Sequence, residues 1–202
     1  MDLQAEKLSS KECINNSEVL EAFKESQNRV ASIALIHEEL HEGGEIDKLK
    51  FSAYLEKLVE NLLRTYTVGD TEINLNMELV KNVFFEMDIA VPLGMIVNEL
   101  VSNSLKYAFP ERASGELQIK LLSEELARSE PDNSGKPAGN HTEYTLIVSD
   151  NGVGIPEEID FENSDTLGLQ LVNILVDQLD GTLELKNRNG TAFIIKFATQ
   201  CN

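Results

Sequence analysis

Positive charge is in short supply in this chain: 17 Lys and Arg stand against 35 Asp and Glu, for a formal net charge of -18. Nucleic-acid backbones are held by clustered Lys and Arg, so this balance argues against a nucleic-acid partner. Long apolar runs are also missing. None approaches the roughly 20 residues needed to cross a bilayer, and the N-terminus lacks the basic-then-apolar order of a secretory signal. The expectation is a cytoplasmic location with no membrane segment. Cysteine is nearly absent. Cys13 and Cys201 lie near opposite ends without CxxC spacing or a neighbouring His, which argues against a disulfide and a zinc site and leaves two free thiols. There are no internal repeats and no Walker-type phosphate loop.

What remains is 202 residues, 42% of them hydrophobic, enough for one sizeable core and an appendage. From residue 17 to about 41 the pattern is helical, with Asn15, Asn16 and Ser17 as a cap, Glu18 suited to the positive end of the helix dipole, and Gly43-Gly44 as a stop. Val19, Phe23, Val30, Ile33, His37 and Leu40 fall on a seam suited to bundle packing. Residues 1–8 read as a separate helical stub ending before Ser9-Ser10. Beyond Gly44 the chain becomes a compact mixed module. Ser52 is placed to cap a helix with the stripe Leu55, Leu58, Val59, Leu62 and Leu63. Residues 73–79 and 82–87 read as strands, and Pro92 opens a helix that ends at Ala108-Phe109-Pro110. Strands over 116–122 and 143–149 flank a polar segment, 123–142, expected to be mobile. A polar, acidic stretch over 152–167 has the character of a lid. A helix over 168–179 and strands over 182–187 and 191–197 complete the pattern.

Two short motifs carry the chemistry. Glu99 and Asn103, in Asn98-Glu99-Leu100-Val101-Ser102-Asn103, are four apart and share one helical face. Asn103 can offer a carbonyl oxygen to Mg2+ while Glu99 polarises a water or an attacking group. The glycines of Asp150-Asn151-Gly152-Val153-Gly154 let backbone pass close to a flat ring, because Gly takes φ > 0 freely. Together they read as two walls of one nucleotide pocket. Singly, each has a plainer reading: a solvated helix face and a surface turn. Glu99 and Asn103 sit among apolar Met95, Ile96, Val97, Leu100 and Val101, so that helix is largely covered and its polar residues need partners.

On these residues the chain resembles the catalytic half of a sensor histidine kinase of the HisKA_2 type, over residues 17–197. Asn98 through Ala108 resembles the family's N box, Asp150 through Gly154 its G1 box, Leu167-Gly168-Leu169-Gln170-Leu171-Val172 its G2 box, and Gly190-Thr191 its last glycine box. Four boxes in the right order are far more specific than one. Residues 18–40 are similar to the second helix of that subgroup's dimerisation hairpin. The resemblance implies an α+β fold, a two-layer Bergerat ATP-binding sandwich with a mixed sheet under helices, preceded by a long hairpin helix. It divides the chain into a partial dimerisation and phosphotransfer hairpin over 1–44 and an ATP-binding catalytic domain over 45–202.

The same resemblance implies ATP and Mg2+ as cofactors, with Glu99 as the acid/base residue and Asn103 as the metal ligand. Asp150 would accept the adenine amino proton, favouring ATP over GTP, and Thr191 would support it through a shared water. Gly152 and Gly154 would pass close to the base. Gly168, between Leu167 and Leu169, would turn its amide to phosphate at a helix N-terminus, and Lys106 would neutralise phosphate charge. Tyr107 and Ile155 complete the expected site. The implied activity passes the γ-phosphoryl of ATP to a histidine and onward to a response-regulator receiver domain, in a homodimer.

Two features depart from the family pattern. The family's phosphoacceptor histidine lies on the first hairpin helix, upstream of Met1, so these 202 residues are expected to bind nucleotide without phosphorylating themselves. The lid carries Glu157, Glu158, Asp160, Glu162 and Asp165 and brings no cation to a triphosphate, which points to modest affinity. His37, followed by Glu38, reads as a packed bundle histidine more readily than as a phosphoacceptor; His41 and His141 are weaker candidates. Lys106 has a plainer reading as a helix-end cation. Two other classes fit such a pocket: a Bergerat-fold serine kinase of the anti-sigma type, against which the hairpin helix argues, and a nucleotide-responsive dimerisation module without kinase activity.

Overall fold

The computed structural model describes residues 3–42, 49–66, 72–110, 113–126, 141–156 and 167–200. Its first element, α1, runs unbroken over Leu3–Glu42. The expected break before Ser9-Ser10 and the expected cap at Ser17 are therefore corrected. Ser and Asn cost a helix interior at most about 0.7 kcal/mol each, and neither Gly nor Pro interrupts this stretch. Gly43-Gly44 lie outside the described residues. Much of the expected seam is left uncovered by the other described residues: Val19, Phe23 and Val30 are 62%, 60% and 66% exposed, and His37 is exposed beside them. A different face, with Ser32 and Ile36 buried, packs on the helices that follow.

Helix α2, Phe51–Tyr66, buries Phe51, Tyr54, Leu55, Leu58, Val59 and Leu62 along one stripe, against α3, Met87–Asn103, and α1. Ser52 does not cap α2. It sits in the first turn, and its hydroxyl donates to the Val80 carbonyl at 2.7 Å. Strand β1, Leu49–Lys50, precedes α2; β2, Glu72–Leu79, and β3, Phe84–Phe85, follow it. The strand expected over 82–87 shrinks to β3, which pairs antiparallel with β1. Asn82 at φ 56° turns the chain before it, and α3 starts after Glu86, five residues ahead of Pro92. Pro92 thus lies inside a helix it was expected to open, at the loss of one backbone hydrogen bond.

The main sheet has the order β2-β4-β5-β7-β6, with β4 over Ser114–Leu126, β5 over His141–Asp150, β6 over Thr182–Lys186 and β7 over Thr191–Gln200. β2 runs parallel to β4 and every other pairing is antiparallel, so the sheet is mixed, as expected. Alternate residues point to one side: Leu117, Ile119 and Leu121 of β4, Leu146 and Val148 of β5, and Phe193, Ile195 and Phe197 of β7 are buried. They join α3 and α4, Leu167–Gln178, in one core. An aromatic chain ties α2 to the sheet, from Phe51 to Phe85 at 5.1 Å and from Phe85 to Tyr144 at 4.9 Å between ring centroids. The segment expected to be mobile is in part strand. The β4–β5 ladder extends to the Leu126–His141 pair, because backbone hydrogen bonds close the ladder whatever its side chains. Residues 127–140 and the lid acids over 157–166 lie outside the described residues, as does the side chain of Cys13 and all of Cys201.

Candidate functional site

Past Asn103, α3 loosens into a π-helical turn over Ser104–Ala108. Such turns insert one extra residue into the helical register and occur often at functional sites. Here the turn presents the Ser104 hydroxyl to Asp150, donating to Oδ2 at 2.8 Å. The freed Ala108 carbonyl accepts from the Val153 amide at 2.9 Å. Asp150, the last residue of β5, is held on its other oxygen as well, since Oδ1 accepts from the amides of Gly152 at 2.9 Å and Thr191 at 3.3 Å. Its carboxylate is therefore fixed by α3, β7 and its own loop together.

The glycines that the sequence treats alike do different work. Gly154 has φ 80° and needs glycine for its backbone. Gly152 has no positive φ; a Cβ there would stand 2.4 Å from the carbonyl oxygen and Cβ of Ala108. Its smallness lets the loop touch the π turn. A Cβ on Gly168 would lie 2.7 Å from Glu99 Oε2 and 3.9 Å from the Asn103 amide, so the start of α4 sits directly on the α3 motif. Asn187 clamps the segment after Gly154, accepting from the Ile155 amide at 2.9 Å and donating to its carbonyl at 2.6 Å.

A single cavity of about 440 Å3 brings these elements together, within the size range of small-molecule sites. Of the expected residues, Glu99, Asn103, Tyr107, Asp150, Gly154, Ile155, Leu167, Gly168, Leu169 and Thr191 line it. Gly152 and Lys106 do not. Gly152 is packed behind the wall, and the Lys106 ammonium turns to the carboxylate of Glu25 at 2.5 Å and over the Tyr66 ring, 5.1 Å from its centroid. The wall also contains residues that no motif singled out as ligand-facing, among them Ser104, Pro156, Phe193 and Glu25. Ser104 follows Asn103 directly in the N box, a usable signal. Glu25 offered none, because it meets Lys106 from 81 positions away.

Glu99 is 4% exposed and is gripped at both oxygens by Arg29 of α1, with Nε donating to Oε1 at 2.6 Å and a second guanidinium nitrogen to Oε2 at 2.9 Å. Two-point pairs of this kind are the strong ones. The hydrogen bond to Glu99 raises the Arg29 pKa above its ordinary value in spite of burial. Burial alone would lower the Lys106 pKa, but the hydrogen bond it donates to Glu25 and nearby negative charge outweigh that and the net direction is upward. Both cations stay charged. Among the described residues no group of three or more His, Cys, Asp or Glu is placed to hold a metal ion. No helix among them is long and apolar enough to cross a membrane.

A mixed five-stranded sheet, helices on one face and a cavity between an Asp-Gly loop and an Asn-bearing helix define the class: an α+β sandwich of the ATPase type, preceded by a long helix. The family model for histidine kinase-, DNA gyrase B-, and HSP90-like ATPases matches residues 88–200, and the HisKA_2 histidine kinase model matches residues 1–66. Sensor histidine kinase PdtaS of Mycobacterium tuberculosis is 31% identical over 194 residues, 90% of this chain and 33% of that protein. Blue-light-activated histidine kinase 2 of Erythrobacter litoralis is 28% identical over 179 residues, 86% of this chain and 46% of that protein. The solved histidine kinase domain of a blue-light activated histidine kinase from Erythrobacter litoralis superposes with a TM-score of 0.68 at 25% identity, over 86% of this chain and 74% of that one. The chain thus spans about a third of the length of PdtaS. It belongs to the histidine kinase-, DNA gyrase B-, and HSP90-like ATPase family, on the histidine kinase side of that family.

Proposed function

We propose that this is the ATP-binding catalytic region of a cytoplasmic two-component sensor kinase, which passes the γ-phosphoryl of Mg-ATP to a histidine and from there to the aspartate of a response-regulator receiver domain. The division into a hairpin part over 1–44 and a catalytic part over 45–202 belongs to the same proposal. The observation that carries it is the convergence of Asp150 and Asn103 on one cavity. Asp150 Oδ2 takes one hydrogen bond from Ser104, and a carboxylate oxygen has a second lone-pair direction to offer an exocyclic amino group. The cavity's apolar wall of Leu100, Ile155, Leu169 and Phe193 suits the faces of a purine.

The donor set fits Mg2+. The ion takes oxygen ligands, few of them from protein, and leaves the rest to substrate phosphates and water. Asn103, which lines the cavity, would supply one amide oxygen, whereas both oxygens of Glu99 are already engaged by Arg29. Bound there, the ion would neutralise phosphate charge. Gly168, in the first turn of α4, lines the cavity, and the free amides of a helix N-terminus suit an anionic tail. Glu99 acts as acid/base residue only once it is released from Arg29. Calorimetry tests the site: Mg-ATP is expected to bind the 202-residue chain and GTP to bind far more weakly, and no heat with Mg-ATP removes the reading. Incubation with γ-labelled ATP is expected to leave the chain unlabelled, and label that survives His37→Gln would overturn the assignment of an acceptor outside these residues. The HisKA_2 match over 1–66 speaks against the serine kinase alternative.

The uncovered stripe on α1, with Val19, Leu20, Phe23, Val30 and Ile33 exposed, supports pairing with a second copy through a helical bundle. Sedimentation velocity is expected to show concentration-dependent dimers that Phe23→Asp shifts at least about tenfold toward monomer. Unchanged association in that variant would take the stripe out of the interface.

A further inference from the structure

Among the described residues the cavity wall contains three carboxylates, Glu25, Glu99 and Asp150, and neither Lys nor Arg. A polyphosphate tail entering this site as it stands meets negative charge, on a chain whose net charge is already -18. Two cations are present but committed: Arg29 to Glu99, and Lys106 to Glu25. Glu25 and Arg29 are one turn apart on α1, with 4.0 Å between their charged groups. This face of α1 docks largely through polar groups. Asn28 donates to the Tyr66 hydroxyl at 2.5 Å, Ser32 donates to Asn98 at 3.1 Å, and Ile36 is a fully buried apolar member. Neutral hydrogen bonds such as these two exchange for water at small net free energy, unlike the two-point Arg29–Glu99 pair or a large apolar interface.

We propose that Glu25 is an affinity- and specificity-determining residue of the nucleotide site: its carboxylate holds the place of an anionic phosphate on Lys106. The proposal rests on the nucleotide reading above. A tail that reaches Lys106 must displace Glu25, so docked α1 and bound triphosphate oppose one another. Displacement takes the Glu25 carboxylate off the ammonium and removes one of the three carboxylates from the wall. Adenosine has no phosphate and leaves the Lys106–Glu25 pair in place. Glu25 therefore discriminates by the charge of the tail, where Asp150 discriminates by the base.

Calorimetry on the full 202-residue chain, with Mg-ATP and with adenosine as probes, tests this. Glu25→Gln keeps the size and helix propensity of a side chain 30% exposed and removes its charge. It is expected to tighten Mg-ATP about fivefold or more and to leave adenosine unchanged. Equal tightening of both probes would mean that α1 simply loosened and opened the cavity, and it overturns the proposal. So does an unchanged Mg-ATP affinity. Asp150→Asn separates this failure from failure of the site itself: it is expected to weaken both probes. If it weakens neither, the nucleotide reading falls and takes the role of Glu25 with it.

Discussion

Asp150→Asn is expected to lower ATP affinity about 100-fold, or about 2.8 kcal/mol, and to narrow or reverse the preference for adenine over hypoxanthine and guanine. The wild-type carboxylate is an acceptor at every lone pair. Oδ1 takes the amides of Gly152 and Thr191, and Oδ2 takes the Ser104 hydroxyl. An Asn must keep its carbonyl toward the two amides, because those donors cannot rotate away. Its NH2 then replaces Oδ2 and faces the cavity, with Ser104 free to turn its hydroxyl and accept. The edge that received an amino group now offers one. A donor set against a donor leaves a desolvated group unpaired, at about 1–3 kcal/mol, on top of the lost hydrogen bond. Purines with a carbonyl at that position gain what adenine loses. Calorimetry with ATP, ITP and GTP on both proteins reads the inversion directly. Equal losses for all three would show that the carboxylate supports the wall without touching the base.

Gly190→Ala is expected to cost about 2–4 kcal/mol of stability and to disable the same site from behind. Gly190 has φ 109°, a region L side chains rarely adopt. A Cβ there would stand 2.0 Å from the Asp150 carbonyl oxygen and 2.8 Å from the Asn151 Cα. Both are backbone atoms at the end of a ladder in which Asp150 pairs with Thr191, so relief requires the β5–β7 register to open locally. The carboxylate of Asp150 moves with it. The urea midpoint should fall with little change in slope, and ATP binding should weaken in the surviving folded fraction. Arg64→Ala is the comparator. It breaks an exposed pair with Glu60 at 2.8 Å, and such pairs contribute at most about 1 kcal/mol. Equal midpoints for the two variants would mean that the tight turn at Gly190 relaxes freely.

Periodicity and box residues made much of this protein legible. The alternation of Phe193, Ile195 and Phe197 shows its sheet face in any window of a few residues, and the structure buries all three on one side. Asp150 and Gly168 stand out because a carboxylate before spaced glycines and a glycine at a helix start have few other uses. The structure departs from the sequence pattern where two local signals compete. Pro92 suits a helix opening, yet Glu86 at φ -73° and ψ 165° already begins the helix. Ser9, Ser10 and Asn15 resemble caps, but a cap residue does not stop a helix that nothing else interrupts.

The charged pairs that govern the site had no local signature. Glu25 meets Lys106 across 81 positions and Arg29 meets Glu99 across 70; any of the chain's acids was an equal candidate for either cation. Patterns that repeat within one element declare the strands, the helices, the glycine turns and the acidic surface, because each depends on neighbours a few residues away. The partner of a buried charge depends on which elements the folded core sets side by side. That is a property of packing, and it placed Glu25 of α1 on the cavity wall and Arg29 of α1 on Glu99, where no window of sequence contains both halves of either contact.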